Sequence, residues 1–123
     1  MLELYHFNNS VCSQKVRMAL AEKGLEWTEH EVDLFKLEQY DPKYLAHNPK
    51  GVVPTLVHDG TPLIESTLIC EYIDDVFPDP PLKPSKPADV TAMRVWAKMV
   101  DDGLHVARAL PRRPANNAAG RRL

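Results

Sequence analysis

The sequence lacks the features that mark membrane-spanning and secreted proteins. Its 123 residues contain no apolar run close to the roughly eighteen residues that a membrane-spanning helix needs. The opening residues, Met1-Leu2-Glu3-Leu4, include neither a basic cluster nor an apolar segment, so we expect no secretory signal. The net charge of −2 gives the chain no general attraction to nucleic acid or to an anionic membrane. These absences favour a cytoplasmic protein with no membrane or nucleic-acid partner.

Cysteine is scarce as well. Cys12 and Cys70 are too few for a disulfide framework and too far apart for a CxxC motif, so reduced thiols are expected. The five histidines show no metal-ligand spacing, and the sequence has neither an HExxH motif nor a glycine-rich phosphate loop. We therefore predict no metal site and no hydride or phosphoryl chemistry.

The end of the chain lacks negative charge. Residues 108–123 contain five of the seven arginines and no Asp or Glu. Their few large apolar residues cannot build a core, so this basic tail is predicted to be disordered. One interpretation is a basic arm for nucleic acid. The charge changes abruptly inside a helical pattern, however, and this favours an unrelated end such as a frameshift would produce.

The remaining residues have the patterns of alternating strands and helices. Capping residues follow the first strand and recur at Ser66, and Asp59-Gly60 is a strong hairpin signal. The predicted elements are a strand at 2–7, a helix between Ser10 and Gly24, an edge strand at 26–33, a short helix after Pro42, hairpin strands at 52–58 and 63–64, and a helix from Ser66.

This order predicts an α/β fold. Two strands joined by a helix imply a right-handed parallel crossover, and the hairpin adds an antiparallel pair. A thioredoxin-like, mixed four-stranded sheet with flanking helices fits this order, and a ferredoxin-like sandwich is the alternative. Five prolines between Phe77 and Ala88 then form a semi-rigid linker. The predicted divisions are a domain at 1–77, a linker at 78–87, the first helix of an incomplete helical domain at 88–107, and the tail at 108–123.

The helix after the linker carries an apolar stripe. Met93, Trp96, Val100 and Leu104 recur at helical spacing. Because the chain supplies only one helix here, we expect part of this stripe to form an exposed apolar patch.

Ser10 lies where the first strand meets the first helix. A helix start concentrates unpaired N–H groups and positive dipole, which stabilise an anion such as a thiolate. Ser10 could donate a hydrogen bond to a substrate thiolate, or it could be a plain N-cap, which its spacing alone favours. Cys12 lies about two residues into the helix, where a small buried hydrophobe is the better interpretation.

Two further motifs have both a ligand-binding and a structural interpretation. The proline of Val53-Pro54 interrupts a predicted strand. A cis bond there would turn the N–H and C=O of Val53 outward, ready to pair with a peptide-like ligand, although most such bonds are trans. At Glu65-Ser66, a helix start could bind a ligand carboxylate while Glu65 holds an ammonium group; simple capping is the alternative.

Taken together, these motifs resemble the N-terminal domain of glutathione S-transferases. The resemblance is carried by three stretches, Ser10–Leu25, Asn48–Gly60 and Leu63–Pro78, and covers most of residues 2–78. Residues Ser10 to Ser13 are most similar to zeta-like bacterial members, and the run from Glu65 to Pro78 also resembles β-etherase-type members. The resemblance implies a thioredoxin-like domain that binds glutathione.

The resemblance also implies roles for individual residues. Ser10 would be the activating residue, and Ser13 stands where thioredoxin has its second cysteine, which excludes dithiol chemistry. Val53 would pair through its backbone with the cysteinyl part of glutathione, and Pro54 would be the cis-proline. The γ-glutamyl end would be held by Glu65 and Ser66.

The sequence departs from the family in two ways. Val52 stands where many members carry Lys or Gln, so one side-chain contact to glutathione is missing. The helical domain that forms the hydrophobic substrate site is represented by one helix. Full-length members are expected to be homodimers, an expectation that we do not extend to this chain.

The leading functional prediction is a truncated glutathione transferase of the detoxification type. It would bind glutathione as co-substrate and activate its thiol for attack on a hydrophobic electrophile. A runner-up is a glutathione-dependent reductive dehalogenase or β-etherase, with Cys12 as accessory thiol. A third alternative is a non-catalytic glutathione-binding or protein-interaction module, or an inactive remnant.

Overall fold

A computed structural model describes residues 1–105, so the predictions for the basic tail lie outside the described residues. The chain divides into two compact units, one from Met1 to Pro84 and one that begins at Ser85. Among the helices of residues 1–105, none is long and apolar enough to cross a bilayer.

The first unit follows the predicted order of elements. A single 3₁₀ turn, Glu38–Tyr40, precedes the short second helix. The strands and helices are β1 (Leu2–His6), α1 (Val11–Glu22), β2 (Thr28–Glu31), α2 (Pro42–Leu45), β3 (Thr55–His58), β4 (Thr61–Leu63) and α3 (Ser66–Val76).

The four strands form one mixed sheet in the order β2-β1-β3-β4. β1 pairs in parallel with β2 and antiparallel with β3, which in turn pairs antiparallel with β4. This confirms the thioredoxin-like prediction. The ferredoxin-like alternative is wrong, because it would place another strand between β1 and β2.

The core lies between the sheet and the helix pair α1 and α3. Successive residues of a strand point to opposite faces, and Leu2 and Leu4 of β1 are buried on the helix side while Tyr5 points the other way, toward Tyr44 of α2. The fully buried core side chains include Leu4, Val16, Leu20, Leu56, Ile69 and Ile73.

The element boundaries differ from the predictions where proline or exposure intervenes. β3 begins at Thr55 rather than at Val52, because Pro54 cannot donate a ladder hydrogen bond. β2 is an edge strand, as predicted, but only four residues long. Val76 at the end of α3 is 42% exposed, whereas Ile69 and Ile73 of the same helix are buried.

The second unit begins with α4, Pro87–Met99, which continues into a π-helical turn at Val100–Leu104. No residue of α4 is buried. Of the predicted apolar stripe, Trp96 and Leu104 are strongly exposed and Met93 is half-buried. The exposed apolar patch predicted from the sequence is therefore present within the described part of this unit.

A buried ion pair ties the proline-rich segment to the first unit. The ammonium group of Lys23, at the end of α1, contacts both Asp74 of α3 and the backbone carbonyl of Pro80. The Asp74 carboxylate also accepts hydrogen bonds from the N–H groups of Leu82 (2.7 Å) and Lys83 (3.1 Å). The side chains of Lys23 and Asp74 are 0% and 6% exposed. One carboxylate thus holds the end of α1 and two backbone positions of the linker.

This carboxylate is expected to make stability depend on pH. Burial alone would raise the pKa of Asp74, but the hydrogen bonds from Lys23, Leu82 and Lys83 outweigh it and lower that pKa. A carboxyl whose pKa is lower in the folded state stabilises above its unfolded pKa of about 3.9. That contribution is lost as the pH falls through the folded pKa.

Replacing Asp74 should therefore be strongly destabilising. Asp74→Asn leaves the Lys23 ammonium buried without a countercharge, and removing one partner of a buried pair typically costs about 3–5 kcal/mol. The control is Asp75→Asn, since the Asp75 side chain is 67% exposed beside Lys83 and should matter by less than about 1 kcal/mol. Urea denaturation measures both, and equal losses for the two variants would contradict this assignment.

Candidate functional site

Ser10 is the N-cap of α1, as its spacing predicts. Its backbone is extended (φ −78°, ψ 120°), and its Oγ accepts a hydrogen bond from Ser13 N at 3.2 Å. Within residues 1–105 its hydroxyl donates no hydrogen bond. A serine oxygen can accept and donate at once. Ser10 can therefore cap the helix and still donate to an anion at the same helix end.

The turn that presents Ser10 is fixed by side chains of α1. Arg17 donates from Nη1 to Asn8 Oδ1 (3.1 Å) and from Nη2 to Asn8 O (3.3 Å), and Gln14 Nε2 donates to the same carbonyl (3.2 Å). Ser10 N donates to Phe7 O at 3.0 Å. These contacts hold the backbone between β1 and α1 in one conformation.

His6 lies beneath this turn and is almost fully buried. Burial lowers the pKa of its imidazole, which favours the neutral form. Its Nδ1 is 2.8 Å from Nη1 of Arg17, and arginine can only donate, so Nδ1 is the acceptor and Nε2 carries the proton. His6 is thus a support for Arg17.

The two other α1 positions named in the sequence differ in burial. Ser13 is fully buried, and its Oγ accepts a hydrogen bond from Phe7 N at 3.3 Å. Cys12 lies in the first turn of α1 and is half-buried. Its use as an accessory thiol remains a prediction.

The Val53-Pro54 bond is cis, as the resemblance implies. Pro54 is buried and Val53 is half-buried. Among residues 1–105, no hydrogen bond reaches the backbone N–H or C=O of Val53. These two groups are therefore available to a peptide-like ligand.

A buried polar network holds the loop that leads to Pro54. The Tyr44 hydroxyl donates to the carbonyl of Val52 and lies 2.8 Å from Thr55 Oγ1. Asn48 Nδ2 reaches the same two acceptors, Val52 O at 3.0 Å and Thr55 Oγ1 at 3.2 Å. Asn48 and Thr55 are 0% exposed and Tyr44 is 4% exposed. The loop is thus anchored from the protein interior.

Glu65 and Ser66 form the start of α3. Glu65 has φ 71°, in the left-handed region that few residues other than glycine adopt, and it is the residue before the first helical turn. Its carboxylate is half-exposed and lies 2.6 Å from Nζ of Lys50. Ser66 is buried and begins the helix. An exposed carboxylate and a helix N-terminus therefore lie next to each other in the chain.

Sequence reasoning missed two parts of this arrangement. It did not predict the network of Tyr44, Asn48 and Thr55, whose polar residues are spread over two elements and a loop. It also did not single out Lys50, although the run from Asn48 to Gly60 that carries the resemblance includes it. The sequence signal that could have revealed both parts is the group of polar residues on either side of Pro54, the proline that interrupts the predicted strand.

No group of three or more His, Cys, Asp or Glu in residues 1–105 is arranged to hold a metal ion. The groups described above are instead hydrogen-bond donors, acceptors and a helix end. Such groups suit an anionic or peptide-like ligand.

The chain is similar to known proteins in both sequence and fold. The family model described as "Glutathione S-transferase, N-terminal domain" matches residues 9–76. The protein LigF of Sphingobium sp. is 46% identical over 103 residues, which cover 82% of this chain and 40% of LigF. Maleylacetoacetate isomerase of Pseudomonas aeruginosa is 39% identical over 107 residues, which cover 85% of this chain and 50% of the isomerase.

Solved structures give the same result. The crystal structure of β-etherase LigF superposes with a TM-score of 0.78, covering 82% of this chain and 42% of that one. A glutathione transferase homologue from Sulfitobacter, solved with bound glutathione, gives a TM-score of 0.84 at 35% identity, covering 89% of this chain and 52% of that one.

The chain belongs to the glutathione S-transferase family, whose N-terminal domain model covers more than half of it. It spans 40% and 50% of the length of these two curated relatives. The matched residues 9–76 include Ser10, Val53, Pro54, Glu65 and Ser66.

The anchoring network should contribute measurably to stability. Burial raises the pKa of the Tyr44 hydroxyl, which keeps it a donor. Tyr44→Phe removes the hydroxyl that donates to Val52 O and contacts Thr55 Oγ1. Because Asn48 still donates to both oxygens, the expected cost is about 0.5–1.5 kcal/mol for each lost hydrogen bond. Tyr40→Phe is the matched control, because Tyr40 is 60% exposed. Thermal or urea unfolding of both variants measures the difference, and an unchanged stability for Tyr44→Phe would show that the network is not needed.

Proposed function

We propose that the first unit binds glutathione and activates its thiol for attack on an electrophilic carbon. The observation that carries the proposal is the N-cap geometry of Ser10, whose hydroxyl caps α1 and keeps its hydrogen for an acceptor. The membership of the family and the glutathione-bound homologue support the same ligand.

In this proposal the thiol of glutathione lies at the N-terminus of α1. The thiol loses its proton to solvent, and the helix dipole and the Ser10 hydroxyl stabilise the thiolate. The thiolate sulfur then attacks the electrophilic carbon. A carbon–sulfur bond forms, and the bond to the leaving group breaks with its electron pair on the leaving group.

The rest of the peptide positions the sulfur. The N–H and C=O of Val53, which no hydrogen bond reaches within residues 1–105, pair with the cysteinyl backbone. Glu65 and the start of α3 at Ser66 hold the γ-glutamyl end. Fixing the ligand at sites remote from its sulfur places the sulfur for attack.

A second candidate is cleavage of a β-ether, favoured by the 46% identity to LigF. The attacked carbon would then carry an ether oxygen, which leaves with the electron pair and takes a proton from solvent. For the full-length protein, we also propose a cytoplasmic location, a homodimeric state and a role in detoxification. The predicted domain limits also stay predictions.

Ser10→Ala should separate binding from activation. The variant keeps the helix dipole but loses the hydroxyl, and a hydrogen bond to a charged group is worth roughly 1.5–3 kcal/mol. Glutathione should still bind, while the pKa of its bound thiol, near ~8.5 for an unperturbed thiol, rises relative to the parent by on the order of one to two units. Thiolate absorbance of bound glutathione against pH measures the shift.

Two variants complete this experiment. Ser10→Thr retains a hydroxyl and should titrate like the parent, and Cys12→Ala should leave the titration unmoved. If the thiol of bound glutathione has the same pKa in Ser10→Ala and in the parent, Ser10 is only a helix cap and does not activate the thiol. Tight glutathione binding without turnover of any electrophile would select the non-catalytic alternative.

A further inference from the structure

Lys50 joins two segments of the proposed site. Its Nζ lies 2.6 Å from Glu65 Oε1, so the ion pair connects the loop before Pro54 with the start of α3. The two side chains are 60% and 50% exposed. Ion pairs this exposed contribute little to folding stability. The pair therefore adds little to the free energy of unfolding. Its position beside the proposed glutathione site points instead to a role in binding.

The backbone holds Lys50 in place without help from Glu65. Lys50 N donates to Asn48 Oδ1 at 3.1 Å, and Gly51 N donates to Asn48 O at 3.0 Å. Gly51 has φ +63°, and a Cβ there would lie 3.1 Å from the ring of Tyr40. The loop thus presents the Lys50 side chain from a fixed backbone, whether or not Glu65 is paired.

The charges at this point complement one end of glutathione. The γ-glutamyl end carries an ammonium group and a carboxylate on the same carbon. We propose that Lys50 binds this α-carboxylate while Glu65 binds the neighbouring ammonium group, so that a zwitterion meets a matching pair. This inference rests on the proposed function, because it assigns a further residue to the same glutathione site.

The sequence of the loop supports the assignment. Val52, two residues after Lys50, supplies neither charge nor a side-chain hydrogen bond. Lys50 is the one basic residue between Asn48 and Pro54. The charge of Lys50 is balanced by Glu65, and the ligand would insert its own two charges alongside that pair.

Lys50→Met is the direct test, with Lys43→Met as the control. Lys43 is an exposed lysine of α2 and lies in no proposed contact. Equilibrium dialysis of the 123-residue chain with labelled glutathione gives the dissociation constant. Losing a charge-assisted hydrogen bond should weaken binding by about ten-fold or more in Lys50→Met. The Lys43→Met and Lys50→Arg variants should stay within a few-fold of the parent.

Chemically modified forms of glutathione show which of its two carboxylates Lys50 binds. Amidation of the γ-glutamyl α-carboxylate should weaken binding to the parent and abolish the difference between the parent and Lys50→Met. Esterification of the glycyl carboxylate should leave that difference intact. The opposite pattern would overturn the assignment to the γ-glutamyl end.

The outcomes separate this inference from the proposed function. If Glu65→Gln weakens glutathione binding while Lys50→Met stays within two-fold of the parent, the inference is wrong and the glutathione site stands. If the parent chain binds no glutathione at millimolar concentration, the proposed function and the inference both fail.

Discussion

The carbonyl of Val52 is held from inside the protein, and the candidate site depends on this constraint. Two buried side chains, Tyr44 and Asn48, donate to it, and both also reach the buried Thr55 hydroxyl. Buried polar groups must be satisfied, so the loop can neither swing into solvent nor collapse into the core without leaving donors unpaired. With the loop fixed on its inner side, Val53 keeps its backbone groups for an outside partner and Lys50 keeps its place beside Glu65.

The turn that presents Ser10, at the reactive end of the proposed site, is also held in place by side chains of the protein. Arg17 and Gln14 hold the Asn8 carbonyl, and the neutral His6 supports Arg17 from below. Ser10 is left with one hydroxyl hydrogen at a helix end that favours negative charge. The buried Lys23–Asp74 pair, by contrast, binds backbone groups of the linker, and its burial keeps both charges away from any ligand. Burial thus separates the charges that stabilise the fold from those that are available to a ligand.

The sequence predicted the order of elements well because each carries a local signal. These signals act through neighbouring residues: Ser10 caps α1, Gly24 follows the C-cap Lys23, and Asp59-Gly60 forms a turn. The network around Val52 could not be read in this way, since Tyr44, Asn48 and Thr55 meet only when the loop folds back on β3. The Lys50–Glu65 pair likewise joins positions 15 residues apart. The identity of Val53-Pro54 as a cis bond came from the family resemblance and not from any pattern in the chain.

The central claim is that residues 10 to 66 form a glutathione site within the first unit. Residue-resolved NMR of the isotope-labelled 123-residue chain, titrated with glutathione, tests it most directly. The account predicts saturable shifts of the backbone amides of Ser10, Val53 and Ser66, with smaller changes around Lys50. An absence of saturable shifts, or shifts confined to the residues around Tyr5 and His47, would contradict it.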